Sequence, residues 1–277
     1  MKKNAQLWYL AALMMILSAC GDKPSNNSGS NTNITPTATD KPLQADKTTN
    51  SNIDTPSQPN QISHQIARCR VTLYDRLGTV QRITYNAFEY DSRDRLTQVI
   101  INDTPRINYT YYGDSIVETN ATKSPNTYII DKRGYLLRDR IGGDSRTDEF
   151  EYDKDGYAQK WITATYTVGG KAIMPYTVIH RWENGNMVSS ASVQKGIIST
   201  SYDYYPDLAY QPMAPLPYKQ GRDMKNLARG ISTTYKGTQS AKVMKYAFDK
   251  QGRISQYTIS QTDDSKAVYQ LEYAQSK

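Results

Sequence analysis

From Ser63 onwards the chain alternates apolar and polar residues with a period of two, the side-chain repeat of a β-strand. In "MPYTVIHRWENG", Met174, Tyr176, Val178, His180 and Trp182 share one face, and Thr177, Arg181 and Glu183 share the other with Ile179. In "GYAQKWITATYTVGG", Tyr157, Gln159, Trp161 and Thr163 oppose Ala158, Lys160, Ile162 and Ala164. "KAVYQLEYAQ" sets Ala267, Tyr269, Leu271 and Tyr273 against Val268, Gln270 and Glu272. No helical repeat competes; "GRDMKNLARG" offers a turn or two at most.

The runs are separated by variants of one phrase. They are Tyr74-Asp75-Arg76-Leu77-Gly78, Tyr90-Asp91-Ser92-Arg93-Asp94, Ile130-Asp131-Lys132-Arg133-Gly134, Tyr152-Asp153-Lys154-Asp155-Gly156, Trp182-Glu183-Asn184-Gly185 and Phe248-Asp249-Lys250-Gln251-Gly252. Most continue into an aliphatic residue: Leu96, Leu136, Met187, Ile254. This reads as a short hairpin. An aromatic closes one strand, Asp binds the turn backbone, Gly takes positive φ, and the next strand begins. The Asp-x-Asp-Gly at Asp153–Gly156 also has the residue types of a cation site. A calcium loop needs a further oxygen ligand, a Glu near its twelfth position and flanking helices. Here Gly156 runs straight into a strand, and sister copies carry Arg93, Arg133 or Gln251 at the second acidic place. Asp153 and Asp155 are expected to shape a turn, and no metal site is expected.

The pattern predicts an all-β fold: an antiparallel β-meander of roughly ten to fourteen strands, curled into an open or closed soluble barrel. A transmembrane barrel shows a continuous lipid-facing apolar band. Faces carrying Arg138, Arg140, Glu149, Glu151 and Lys160 lack one.

The N-terminus reads differently. Lys2 and Lys3 precede an apolar run, Leu7–Leu17, that is too short to span a bilayer and suits a secretory leader. It ends in Leu17-Ser18-Ala19-Cys20, which resembles a bacterial lipobox; residues 1–19 are then expected to be a signal peptide and Cys20 the acylated first residue. Acyl chains on Cys20 would bind the membrane, each buried CH₂ adding ~0.8 kcal/mol. Gly21 follows, not the aspartate of an inner-membrane retention signal. The expected location is therefore the outer membrane, lipid-anchored, on its periplasmic or cell-surface face. Residues 20–62 are the acylated Cys and a disordered tether of Asn, Thr, Ser, Pro, Asp and Lys, with a reach on the order of 35 Å. Residues 63–277 form a single domain.

Composition narrows the chemistry. The net charge of +7 loses the two charges of Lys2 and Lys3 with the leader and is spread evenly, which decides no partner by itself; in the envelope, nucleic acid is not expected as one. With Cys20 acylated, Cys69 has no disulfide partner and reads as a small hydrophobe on a strand. Of two histidines, His64 lies at the tether's end and His180 on an aromatic strand face. HExxH, GxSxG and phosphate-binding glycine loops are absent from the sequence, so no catalytic residues and no cofactor are expected. The 23 tyrosines are the remaining signal. On a half-wet sheet Tyr packs its ring and keeps its hydroxyl hydrated. If a ligand-stacking surface exists, its candidates are Trp161, Trp182, Tyr204, Tyr205, Tyr210 and Tyr218, the last four near the Pro-rich "YYPDLAYQPMAPLPYKQG".

"FDKQGRI" and "YDSRDRL" resemble the YD repeats of large bacterial shell-forming proteins. The lipobox, polar tether, "YTYYGDSIV" at Tyr109–Val117 and "GRDMKNLARGISTTY" at Gly221–Tyr235 are similar to a family of uncharacterised lipoproteins of gut and oral anaerobes. That resemblance implies a porin-like β fold over most of residues 66–275 and assigns no catalytic residue. The Pro-rich stretch Tyr204–Gly221 departs from it. The expected function is a non-catalytic envelope protein that binds or scaffolds, with a glycan or an envelope protein as partner. The alternatives are a glycan-active hydrolase, or an envelope-assembly component sheltering an acyl chain or a polypeptide strand. Facing carboxylates with perturbed pKa values would favour the hydrolase.

Overall fold

The computed structural model describes residues 63–121, 123–141, 146–166, 172–194 and 197–275; the leader, the lipobox and the tether lie outside them. Alternating apolar residues, cut by turn phrases, give sixteen strands. The first eight are β1 (Ile66–Tyr74), β2 (Val80–Tyr90), β3 (Leu96–Ile101), β4 (Thr104–Tyr112), β5 (Ser115–Asn120), β6 (Lys123–Ile130), β7 (Leu136–Ile141) and β8 (Arg146–Tyr152). The rest are β9 (Ala158–Tyr166), β10 (Ala172–Glu183), β11 (Asn186–Ser192), β12 (Ile198–Ala209), β13 (Asn226–Tyr235), β14 (Thr238–Phe248), β15 (Ile254–Gln261) and β16 (Lys266–Tyr273). The count exceeds the ten to fourteen expected because β3, β5 and β7 are only six residues long and merge with their neighbours in the pattern.

Every strand runs antiparallel to the next, and β1 pairs with β16 through Cys69↔Leu271 and Val71↔Tyr269, so the sheet closes with no free edge. Connections therefore alternate between two ends. The near end, where β1 begins and β16 finishes, carries the even-to-odd connections.

One inward row runs along cross-strand pairs Tyr111–Ile116–Tyr128–Asp139–Asp148–Thr163–Tyr176. The neighbouring outward row is Ile129–Arg138–Glu149–Ile162–Thr177. Outward charges pair with one another, Arg138 with Glu149 at 2.9 Å and Lys160 with Glu151 at 2.7 Å. Inward, Ile116, Leu136, Val178, Leu227, Met244 and Ile254 are buried. Cys69 is buried too, and burial pushes its thiol up to about 12.

Five copies of the turn phrase share one geometry. Asp75, Asp91, Asp131, Asp153 and Asp249 each accept on Oδ1 the N–H groups two and four residues on. The residue three on has positive φ: Gly78, Asp94, Gly134, Gly156 and Gly252. The register slips by one residue beside each turn, as a three-residue hairpin loop with a bulge requires. Asp153 Oδ2 also accepts from Gln159 Nε2 at 2.9 Å, so the Asp-x-Asp-Gly phrase builds a turn. All but the Asp75 copy sit at the near end.

The aromatic residues of even strands do more than pack. Each of these polar hydrogens is donated to a backbone carbonyl at the start of the preceding odd strand: Tyr90 to Ile66 (2.7 Å), Tyr111 to Leu96 (2.8 Å), Tyr152 to Leu136 (2.6 Å) and Trp182 to Ala158 (2.6 Å). Tyr204 reaches Met187 (2.7 Å), Tyr246 reaches Ala228 (2.8 Å) and Tyr273 reaches Ile254 (3.0 Å). Seven of the eight hairpins are stapled this way; in the β5–β6 hairpin Tyr128 donates instead to Glu118 Oε2 at 2.6 Å. The hydroxyls are thus bound to backbone, where hydration was expected, because the ring must span from one strand to the next to fill the near end.

Tyr152→Phe removes one staple and is expected to cost about 1 kcal/mol. Tyr112→Phe, at a ring 56% exposed, is expected to cost almost nothing. Thermal unfolding of the two variants side by side is the check.

Candidate functional site

The long β12–β13 connection, residues 210–225, is rich in Pro and so cannot extend the sheet. It forms a strap across the near end, held by backbone bonds to one turn after another. Gln211 Nε2 donates to Gly252 O (2.8 Å), and Gln211 Oε1 accepts from Ile254 N (3.0 Å). Lys219 N donates to Gly134 O (2.9 Å), and Lys219 O accepts from Leu136 N (2.8 Å). Arg222 N donates to Gly156 O (2.7 Å) and Lys225 N to Gly185 O (2.8 Å). Approach is close enough to demand glycine: a Cβ on Gly221 would lie 2.7 Å from the Tyr152 ring and 2.8 Å from Gly156 O. The strap ends at Asn226: its backbone N–H donates to Asn186 Oδ1, its Oδ1 accepts from Asn186 Nδ2 and its Nδ2 donates to Pro206 O, while Leu227 is buried.

Where the strap meets the β8–β9 and β10–β11 turns it leaves a cleft of about 400 Å³, lined by Tyr157, Asn184, Gly185, Arg222, Asp223, Met224 and Lys225. Tyr157 packs on Trp182, ring centroids 4.8 Å apart, and the Arg222 guanidinium lies 5.2 Å from the Tyr157 centroid. Burial raises the Asp223 carboxyl and Lys219 opposes that rise.

A second polar cluster lines the barrel wall. Asp139 and Asp148 are direct cross-strand partners, both buried, and Asp148 N donates to Asp139 Oδ1 at 3.1 Å. Arg146 grips Asp148 at 2.8 Å. Burial first, and then the Asp148 charge, push the Asp139 carboxyl up to about 7. Tyr218 of the strap packs on Tyr128 at 4.8 Å, near Asp139 and Glu118. His180 accepts or donates at Ser190 Oγ, 2.9 Å away, and burial lowers its pKa to about 4, so it is neutral. Among the described residues no group of three His, Cys, Asp or Glu is placed to hold a metal.

Of the residues singled out in the sequence, Trp161 is buried on the inner wall, edge-on to Tyr176. Trp182 backs the cleft through Tyr157, and Tyr204 Oη touches Met224 Sδ of its lining at 3.0 Å. Tyr205 is tied to Met244 O (2.9 Å), away from the cleft. Tyr210 opens the strap, bonding Lys225 O through its N–H. Tyr218 sits with the acidic cluster. The structure thus brings Trp182 and Tyr204 to one site and scatters the others. Sequence reasoning missed Tyr157, Asn184, Arg222, Asp223 and Lys225. The Lys225-Asn226-Leu227 segment was the available signal, since it marks where the strap rejoins the sheet.

The class defined by this fold is a closed, sixteen-stranded antiparallel β-barrel with one end crossed by its own strap. The barrel is similar to a porin-like protein from Bacteroides uniformis, with a TM-score of 0.54, 13% identity, and coverage of 76% of this chain and 99% of that one. It is equally similar to a porin-like protein from Bacteroides vulgatus, TM-score 0.54 and 15% identity, over 76% and 99%. No family model and no curated protein matches the sequence.

Because its folded pKa is raised, Asp139 adds stability through protonation that is full below about 4 and lost as pH climbs through about 7. Asp139→Asn keeps an oxygen for Asp148 N and removes the repulsion. It is expected to melt higher than wild type at pH 8 and to flatten the fall in melting temperature between pH 4 and 7.

Proposed function

We propose that this chain is a lipid-anchored outer-membrane protein whose barrel is a non-catalytic binding or scaffolding module, with a glycan or an envelope protein as its partner. The observation that carries this reading is the outward face of the barrel, where ion pairs such as Arg138–Glu149 and Lys160–Glu151 occupy positions that a lipid-facing barrel fills with apolar residues. Such a wall suits water, so attachment falls to Cys20 and its acyl chains. The porin-like name of the structural neighbours supports residence at the outer membrane. The strap across the near end favours a recognition surface over a channel. The silent thiol of Cys69 and the neutral His180 favour binding over nucleophilic or base chemistry.

One observation favours glycan hydrolysis as a second reading: Asp139 and Asp148 face each other with one pKa raised. Both are buried, and Asp148 is neutralised by Arg146.

Two measurements test these readings. Cys20→Ser is expected to move the protein from the membrane pellet to the soluble fraction; retention in the pellet would sink the acyl anchor. The full-length protein on an array of bacterial, host and dietary glycans is expected to bind a defined subset and to lose it on Trp182→Ala. Release of reducing ends from a bound glycan, abolished in Asp148→Asn, would install the hydrolase reading instead.

A further inference from the structure

We propose that the cleft between the strap and the β8–β9 and β10–β11 turns binds a sugar ring bearing a single carboxylate, a residue of the uronic-acid class. This rests on the reading of the barrel as a recognition module. Its observations are the two cations of the cleft and the way each is held. Arg222 is fixed at its backbone by the 2.7 Å bond to Gly156 O, and its guanidinium lies over Tyr157. Tyr157 is backed by Trp182, which is itself tied to Ala158 O at 2.6 Å. The planar fork is therefore supported before any ligand arrives, the arrangement that lets arginine take a carboxylate with two parallel hydrogen bonds. Lys225 is fixed at its backbone by Gly185 O, and its Cβ lies so close to Gly185 that an added methyl there would stand 3.3 Å away.

At three other near-end turns the cation is used internally. Arg95, Arg133 and Arg253 each pair with the aspartate of their own turn. The aspartate of the turn beneath Arg222, Asp153, gives its oxygens to Asp155 N, Tyr157 N and Gln159. Among the described residues neither Arg222 nor Lys225 forms an ion pair.

The rest of the lining selects the ligand. Asp223 and the Asn184 amide offer acceptors and donors for ring hydroxyls. Arg222 and Lys225 against Asp223 leave one net positive charge, which a monoanionic carboxylate balances. The volume, about 400 Å³, falls in the range of small-ligand sites.

The test is titration of the full-length protein in detergent, by calorimetry, with galacturonate, glucuronate and mannuronate oligosaccharides and their methyl esters. The expected result is binding of at least one free acid and none of its ester, with affinity falling as salt rises. Arg222→Gln and Lys225→Gln, both exposed side chains, should each weaken it by about tenfold or more without changing the melting temperature. Equal binding of acid and ester, or tighter binding of a sugar phosphate, overturns the inference and leaves the recognition module standing. A blank for every uronate also overturns it, and the glycan array then decides separately whether the module reading survives.

Discussion

A hydroxyl or indole N–H that reaches back across a hairpin to the first carbonyls of the preceding strand is the contact on which this barrel depends. An isolated two-stranded hairpin is marginal in water, and the described residues form no helix for these strands to lie against. By donating to a backbone carbonyl, Tyr90, Tyr111, Tyr152, Trp182, Tyr204, Tyr246 and Tyr273 fix the near end of seven of the eight hairpins while their rings fill the space inside. A phenylalanine would fill the same space but leave the hairpin end free to splay. The abundance of tyrosine follows from this double duty.

The staples also make the two ends unlike. At the near end, aromatic rings, aspartate-locked turns and the strap form a continuous layer, with pairs such as Tyr135–Tyr152 and Tyr157–Trp182 in contact. The turns offer the strap free carbonyls on Gly134, Gly156 and Gly185, and the strap takes all three. The cleft arises where that docking is imperfect, so the geometry of Arg222 and Lys225 is inherited from the turns and not from the strap's own sequence. The acidic pair Asp139–Asp148 lies on the wall near Tyr218 and does not line the cleft.

Local features were legible in the sequence, and long-range ones were not. The period of two, the aspartate turns, the buried Cys69 and the inward His180 all follow from a few adjacent residues. The structure bears out the all-β meander and closes it. What sequence could not supply was the path of residues 210–225, because their partners are the carbonyls of turns up to 85 residues away and any sequence supplies a carbonyl. Trp182 was legible as an aromatic at a strand end. That it would brace Tyr157, and through it Arg222, depends on that path. The same holds for Tyr218, which lay in an unpatterned loop and meets an acidic cluster in space.

Ala274 N donates to Gln65 O at 2.8 Å, so the first and last strands of the barrel meet at the near end, beside the staples of Tyr90 and Tyr273. The hairpin is thus a modular unit with its own lock, and the circumference can grow or shrink only by whole hairpins, two strands at a time. Gene duplication or loss of one such unit would leave the remaining locks intact and change the bore. The strap would then be the part under pressure, since its length is matched to the number of turns it must cross. In descendants of such an event, loop length and strand number should have drifted together.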